Sequence, residues 1–133
     1  MTPSVPADLV TNINRQVLDR VRDLSAHSDV AEALTAALTP LGDVQLFCPD
    51  PRTYRIVAAA TRGVIFAVAL GMNTISVRLD ERMKARAVAS GAVPDPGCGN
   101  EWVPFTLFRD DWSKVDLEFW ARKGYIAARA VAG

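Results

Sequence analysis

Residues 64–79 read VIFAVALGMNTISVRL, and the two strand patterns in this stretch decide the fold. Residues 64–70 are apolar at every position, which is typical of a central strand with other elements packed on both of its faces. Residues 74–79 alternate instead, and their inward positions are predicted to be Ile75, Val77 and Leu79. Their outward positions are then Thr74, Ser76 and Arg78.

Three more strands are predicted around this pair, over residues 44–48, 53–60 and 102–108. A turn at Arg62-Gly63 connects residues 53–60 to the central strand, so the middle of the chain forms an antiparallel meander. Pro104 cannot donate a hydrogen bond to a neighbouring strand. The last strand is therefore expected at an edge of the sheet, or to be bulged at this proline.

Apolar residues that recur every three or four positions predict four helices. The first runs from residue 6 or 7 to residue 24, with Leu9, Ile13 and Val17 on its buried stripe and Asn14 on the opposite face. The other three are expected to follow acidic or hydroxyl capping residues. These caps are Ser28 or Asp29 for the second helix, Asp80 for the third, and Asp110 or Asp111 for the last.

The last helix has a broad apolar face. Its apolar positions are Trp112, Val115, Phe119, Trp120, Tyr125 and Ile126. Core packing is the common fate of such residues, and a face that stays uncovered would fit an interface such as a homodimer contact. Gly124 is expected to weaken this helix near its end.

The element order ααββββαβα predicts an α+β fold with a mostly antiparallel sheet of four or five strands and helices packed mainly on one face. The 133 residues fit a single domain, 1–133, in which residues 1–6 are expected to be a flexible tail. Half of the residues are apolar and 23% are charged, a globular composition with no stretch that predicts a membrane span. Without a signal-peptide pattern, Cys48 and Cys98 are expected to be reduced thiols in a cytoplasmic protein.

No metal or cofactor is predicted. The candidate ligands His27, Cys48 and Cys98 are far apart in sequence and lack the spacing of a metal site. The glycine segment at residues 97–100 precedes a strand, whereas a phosphate-binding loop precedes a helix. The acidic pairs at residues 80–81 and 110–111 are explained by helix capping.

Arginine and tryptophan side chains supply the candidate binding residues. We predict that they are Arg55, Arg78, Cys98, Asn100, Trp102 and Trp112. Arginines on the outward sheet face beside aromatic rings can line a groove for a small anionic ligand or a protein partner. The alternative is a solvated sheet face on which arginine stems cover apolar surface.

Residues 63–128 resemble the MmcQ/YjbR-like group of small bacterial α+β domains. The matching pieces are residues 63–68, residues 75–80 leading into a helix, and a tryptophan, Trp112, at the start of the last helix. The resemblance implies a double-winged arrangement of sheet and helices and a DNA-binding role. The same order of elements is similar to a small domain of luciferase-like proteins. The chain departs from the first group at Asp110 and Asp111, where a basic residue is expected.

The sequence thus predicts a non-enzymatic binding or protein-interaction module that works through the outer sheet face and the loop over residues 94–102. A ligand-binding protein or enzyme with a site at Cys98 and the arginines is the alternative. DNA binding is a third hypothesis, implied by the resemblance alone. The formal net charge of zero counts against nucleic acid as the partner, because no overall positive field attracts phosphates.

Overall fold

The computed structural model describes residues 7–22, 28–47, 58–71, 74–89, 98–106 and 116–132. After one 3-10 turn at Ala7–Leu9, the elements are α1 (Arg15–Arg22), α2 (Ser28–Leu38), β1 (Gln45–Phe47), β2 (Ala58–Thr61), β3 (Val64–Leu70), β4 (Thr74–Arg78), α3 (Glu81–Ala89), β5 (Trp102–Thr106) and α4 (Leu117–Ala132). This order confirms the predicted α+β fold. The expected tail at residues 1–6 lies outside the described residues.

The five strands form one antiparallel sheet in the order β1-β2-β3-β4-β5. The predicted central strand is therefore central, with every one of its residues buried. The predicted turn between β2 and β3 is present, and Arg62 and Gly63 have φ angles of 51° and 80°. Positive φ at both positions is the geometry of the two-residue hairpin turn that matches the twist of the strands. Pro104 lies in β5, at the edge where it was predicted.

A β-bulge explains how the uniformly apolar β3 serves both faces of the sheet. The register between β2 and β3 shifts between Ala59 and Ala60. Opposite this shift, the consecutive residues Phe66 and Ala67 both join the cluster on the side of the helices. Ile65 and Val68, on either side of them, join the cluster on the other face.

One face of the sheet is covered by α2, α3 and α4. The stripe predicted for α2 is confirmed, with Val30, Leu34 and Leu38 buried in this core. Asp80 caps α3 as predicted, because its Oδ1 accepts a hydrogen bond from the Met83 N–H at 2.8 Å. The α4 helix begins at Leu117 with Asp116 as its cap. The caps predicted for the last helix, Asp110 and Asp111, lie outside the described residues.

The opposite face is covered by the chain from the first 3-10 turn through α1. Leu9 and Val17 pack there against β2 and β3, as part of a cluster that includes Trp102. This cover corrects the prediction that Ser76 and Arg78 point to solvent, because both are buried. In the described parts of the chain, every helix is too short or too polar to cross a bilayer.

The first predicted helix is also corrected. Residues 7–22 form a 3-10 turn, an irregular turn and a shorter helix instead of one continuous helix. Asn14 lies in the irregular turn and is fully buried, although it was placed on the outer face. Ile13, which was placed on the buried stripe, is 38% exposed.

Candidate binding cleft

Arg78 is the buried charge around which the candidate site is arranged. It is the last residue of β4 and is 3% exposed. Its Nε donates to the Ile65 carbonyl oxygen at 2.8 Å, and its Nη2 donates to the Ile13 carbonyl oxygen at 3.2 Å. Its Nη1 forms an ion pair with Glu101 Oε1 at 2.5 Å. The guanidinium thus joins the N-terminal segment, the sheet and the residue that precedes β5.

The local backbone explains why an arginine is needed at this position. The ladder between β3 and β4 ends at the pair Ala67 and Val77, so the Ile65 carbonyl lies beyond the last strand pairing. A buried carbonyl without a partner is costly, and the fork of donors on Arg78 supplies one. The indole of Trp102 lies 5.0 Å from the guanidinium carbon and favours a cation over its ring.

The electrostatics of Arg78 follow from its burial and its neighbours. Burial lowers the pKa of the Arg78 guanidinium, and the neighbouring Glu101 carboxylate and Cys98 sulfur each raise that pKa in part. A lowered arginine pKa still leaves the side chain charged near neutral pH. Arg78 is therefore a buried cation held in place by an ion pair and two hydrogen bonds to carbonyl oxygens.

We expect Arg78→Lys to lower the free energy of unfolding by about 1–3 kcal/mol, because lysine keeps the charge but cannot serve two carbonyls and a carboxylate in one plane. Glu101→Gln is the matched variant. The Glu101 side chain is 45% exposed, so its loss is expected to cost less than about 1 kcal/mol. Urea unfolding of both variants checks this order. An Arg78→Lys variant as stable as the wild type would show that the fork geometry is unimportant.

The structure brings together three of the six predicted site residues. Arg78, Cys98 and Trp102 lie in one buried region, with Cys98 and Trp102 in the same apolar cluster. Asn100 is exposed, and its carbonyl oxygen accepts a hydrogen bond from Lys84 Nζ. Arg55 and Trp112 lie outside the described residues, as do His27 and Cys48.

Burial changes what these residues can do. Cys98 is 4% exposed, so its thiol is not presented to a substrate as the enzyme hypothesis requires. Trp102 is 1% exposed and contributes to the core rather than to an outer groove. Among the described residues, no three histidine, cysteine or acidic side chains lie in an arrangement that could hold a metal ion.

An open cleft of about 410 Å³ lies beside Arg78. We call it the Ile126 cleft. Among the described residues, its apolar lining consists of Ile13, Leu79, Ile126, Ala127, Ala130 and Val131. The four α4 residues are spaced one turn apart in two pairs, so they present one continuous strip of the helix. Ile126 and Val131 remain 50% and 58% exposed and Ala130 is also exposed, so these three residues lack a covering element in the described structure, whereas Ala127 is buried.

Charged side chains also line the same cleft. They are Arg78, Asp80, Glu81 and Glu101. Asp80 and Glu81 stand at the start of α3, and Glu101 is held by its ion pair with Arg78. The cleft thus combines an apolar lining with an acidic border formed by Asp80, Glu81 and Glu101.

Sequence reasoning missed most of this cleft. Ile126 was assigned to the apolar face of the last helix without a sign that its end of the helix stays uncovered, and Ala130 and Val131 were not singled out. A signal was present, because Ile126, Ala130 and Val131 continue the apolar pattern of α4 past its aromatic residues. Compared with known proteins, the chain matches no family model, and no curated protein or solved structure matches it.

Proposed function

We propose that the protein is a non-enzymatic interaction module that binds an apolar side chain of a protein partner in the Ile126 cleft. The observation that carries this proposal is the convergence of Ile13, Ile126 and Val131, all exposed, on one concave surface. Apolar residues that line a cavity of this size, between about 300 and 1,000 Å³, are typical of binding sites. Exposed apolar patches bordered by polar groups are typical of protein contacts.

The class of function is the one predicted from the sequence, but the binding surface is the Ile126 cleft instead of the outer sheet face and the loop over residues 94–102. The outer sheet face at Arg78 and Trp102 is covered by the N-terminal segment, so the binding surface predicted from the sequence is buried. A small anionic ligand fits the Ile126 cleft poorly, since three carboxylates and one guanidinium, itself paired with Glu101, are found among the described residues of its lining. The same charges disfavour a nucleic-acid phosphate backbone at this site.

We expect Ile126→Gln to weaken binding of a cleft-directed peptide by about tenfold or more, because burial of an isoleucine contributes roughly 1.5–3 kcal/mol. The probe is a peptide selected from a random displayed library on the immobilised full chain. Isothermal titration calorimetry then gives its Kd for each variant. Ile126 is half exposed, so the substitution leaves the core intact.

Val88→Gln is the matched control. Val88 is also on a helix and 41% exposed, but it does not line the cleft. Its substitution is expected to leave the Kd within about twofold. Failure to select any peptide, or a peptide that binds the Ile126→Gln variant as tightly as the wild type, would contradict an interaction role for this cleft.

A further inference from the structure

We propose that the partner segment places a lysine or arginine directly beside the apolar side chain that enters the Ile126 cleft. This inference rests on the proposed function and adds the chemistry of the partner. It follows from which charged side chains of the cleft are accessible to a partner and which are already paired within the protein.

The one cation among the described lining residues, Arg78, is buried and is engaged mainly within the protein. The Nε, Nη1 and Nη2 groups of Arg78 are bonded to Ile65, Glu101 and Ile13, and the side chain is buried. The guanidinium carries five N–H donors, so one on Nη1 and one on Nη2 remain besides these three, but the 3% exposure of the side chain leaves them little surface for a bound carboxylate. A carboxylate that instead displaced Glu101 or a buried carbonyl would leave that polar group unpaired, which costs about 1–3 kcal/mol.

The carboxylates of the lining are accessible. Asp80 and Glu81 are exposed, and Glu101 is partly exposed although Arg78 contacts one of its oxygens. Among the described hydrogen bonds, Asp80 uses Oδ1 for the α3 cap. The positive end of the α3 dipole offsets part of this charge, but only about half an elementary charge. The accessible border of the cleft is therefore net acidic.

Cations on the adjoining helices do not cancel this acidic border. Lys84 of α3 donates to the Asn100 carbonyl, and Arg129 of α4 contacts Asp43 and Thr61 on the far side of that helix. Arg82 and Arg122 are exposed but are not part of the lining. A partner segment with a basic residue next to an apolar side chain thus complements both the acidic border and the apolar lining of the cleft.

The test measures the Kd of the selected peptide for the Glu81→Lys variant. At low salt we expect binding about five- to tenfold weaker than for the wild type, and a smaller difference at high salt because ions screen the exposed pair. Glu118→Lys is the matched control, since Glu118 is also exposed in the first turn of a helix and lies outside the cleft. Its Kd is expected to stay within about twofold.

A charge exchange strengthens the test. Selected peptides are expected to carry lysine or arginine beside an apolar residue, and replacing that basic residue by glutamate should weaken binding to the wild type. The same glutamate peptide should bind the Glu81→Lys variant more tightly than it binds the wild type, since the opposite charges are restored.

The outcomes separate this inference from the proposed function. Peptides without a basic preference that still lose affinity for Ile126→Gln would overturn the charge inference and leave the interaction role standing. A selected peptide that binds Ile126→Gln as tightly as the wild type would overturn both the charge inference and the interaction role. If small cationic amphiphiles such as dodecylamine bind the cleft and no peptide does, the proposal of a protein partner would be overturned. Sedimentation of the wild type as a dimer, with Ile126→Gln sedimenting as a monomer, would assign the cleft to a second copy of the chain. That result would also overturn the proposed partner segment.

Discussion

Gly124→Val is expected to lower the free energy of unfolding by about 3 kcal/mol or more, because α4 packs against the sheet where this glycine lies. A Cβ atom at position 124 would lie 2.5 Å from Val77 Cγ1 and 3.0 Å from the Arg78 carbonyl oxygen. The Phe66 carbonyl oxygen would be 3.3 Å away. Two of these three neighbours are backbone atoms of the central strands, so a larger side chain forces the helix away from the sheet.

Gly124→Ala gives a sharper test, because the two relevant effects have opposite signs. Alanine favours a helix over glycine by about 1 kcal/mol, whereas overpacking a tight site costs about 1–3 kcal/mol. We expect a net loss of stability in urea unfolding. The control is the pair Arg122→Ala and Arg122→Gly, at an exposed interior position of the same helix, whose difference in stability measures the propensity effect alone at about 0.5–1 kcal/mol. A stabilised Gly124→Ala variant would show that α4 does not approach the sheet this closely.

The role of Gly124 illustrates what local sequence rules miss. From the sequence, a glycine in a helix only weakens it, and it was placed near the helix end. In the structure it is buried in the middle of α4, where the absence of a side chain permits close contact with β3 and β4. The advantage of glycine here depends on residues more than 40 positions away, and no local pattern contains that information.

The sheet itself was predictable because its signals are local. The uniformly apolar β3 and the alternating β4 determine strand type, and their neighbours along the chain are also their neighbours in the sheet. The two patterns gave conflicting information about the second face of the sheet. The β3 pattern required a cover on both faces, whereas polar Ser76 and Arg78 in β4 suggested solvent. The β3 pattern was the correct guide, because buried polar side chains are tolerated where they find partners.

The candidate site was less predictable than the fold. Burial of Arg78 depends on the Ile13 carbonyl and on Glu101, which are distant in sequence. In the Ile126 cleft, Ile126 and Val131 of α4 stay exposed in the described structure, and which residues of a helix are covered by other elements is not a local property of the sequence. The apolar composition of α4 was evident in the sequence, but its incomplete burial required the assembled fold.

Asn14→Ala is expected to lower the free energy of unfolding by about 3 kcal/mol or more. The fully buried amide donates from Nδ2 to the Leu9 carbonyl oxygen at 2.8 Å and to the Gly63 carbonyl oxygen at 2.9 Å. Its Oδ1 accepts from the Ile65 N–H at 2.9 Å. Alanine would leave all three backbone groups without this partner, and the N-terminal segment would lose its attachment to the turn before β3. Urea unfolding measures the loss.

Asn14→Asp separates this hydrogen-bonding role from simple packing, since the two side chains have nearly the same shape. The ionised carboxyl can accept from the Ile65 N–H but cannot donate to the carbonyls of Leu9 and Gly63, and it would be a buried charge facing two oxygens. The folded state therefore favours the protonated form, so stability falls as pH rises above the carboxyl's unfolded-state range near 4. We expect Asn14→Asp to be clearly less stable at about pH 8 than at about pH 4, relative to the wild type at each pH. An unchanged difference between the two pH values would mean that position 14 is open to water, and the N-terminal segment would then not be held on the sheet by this amide.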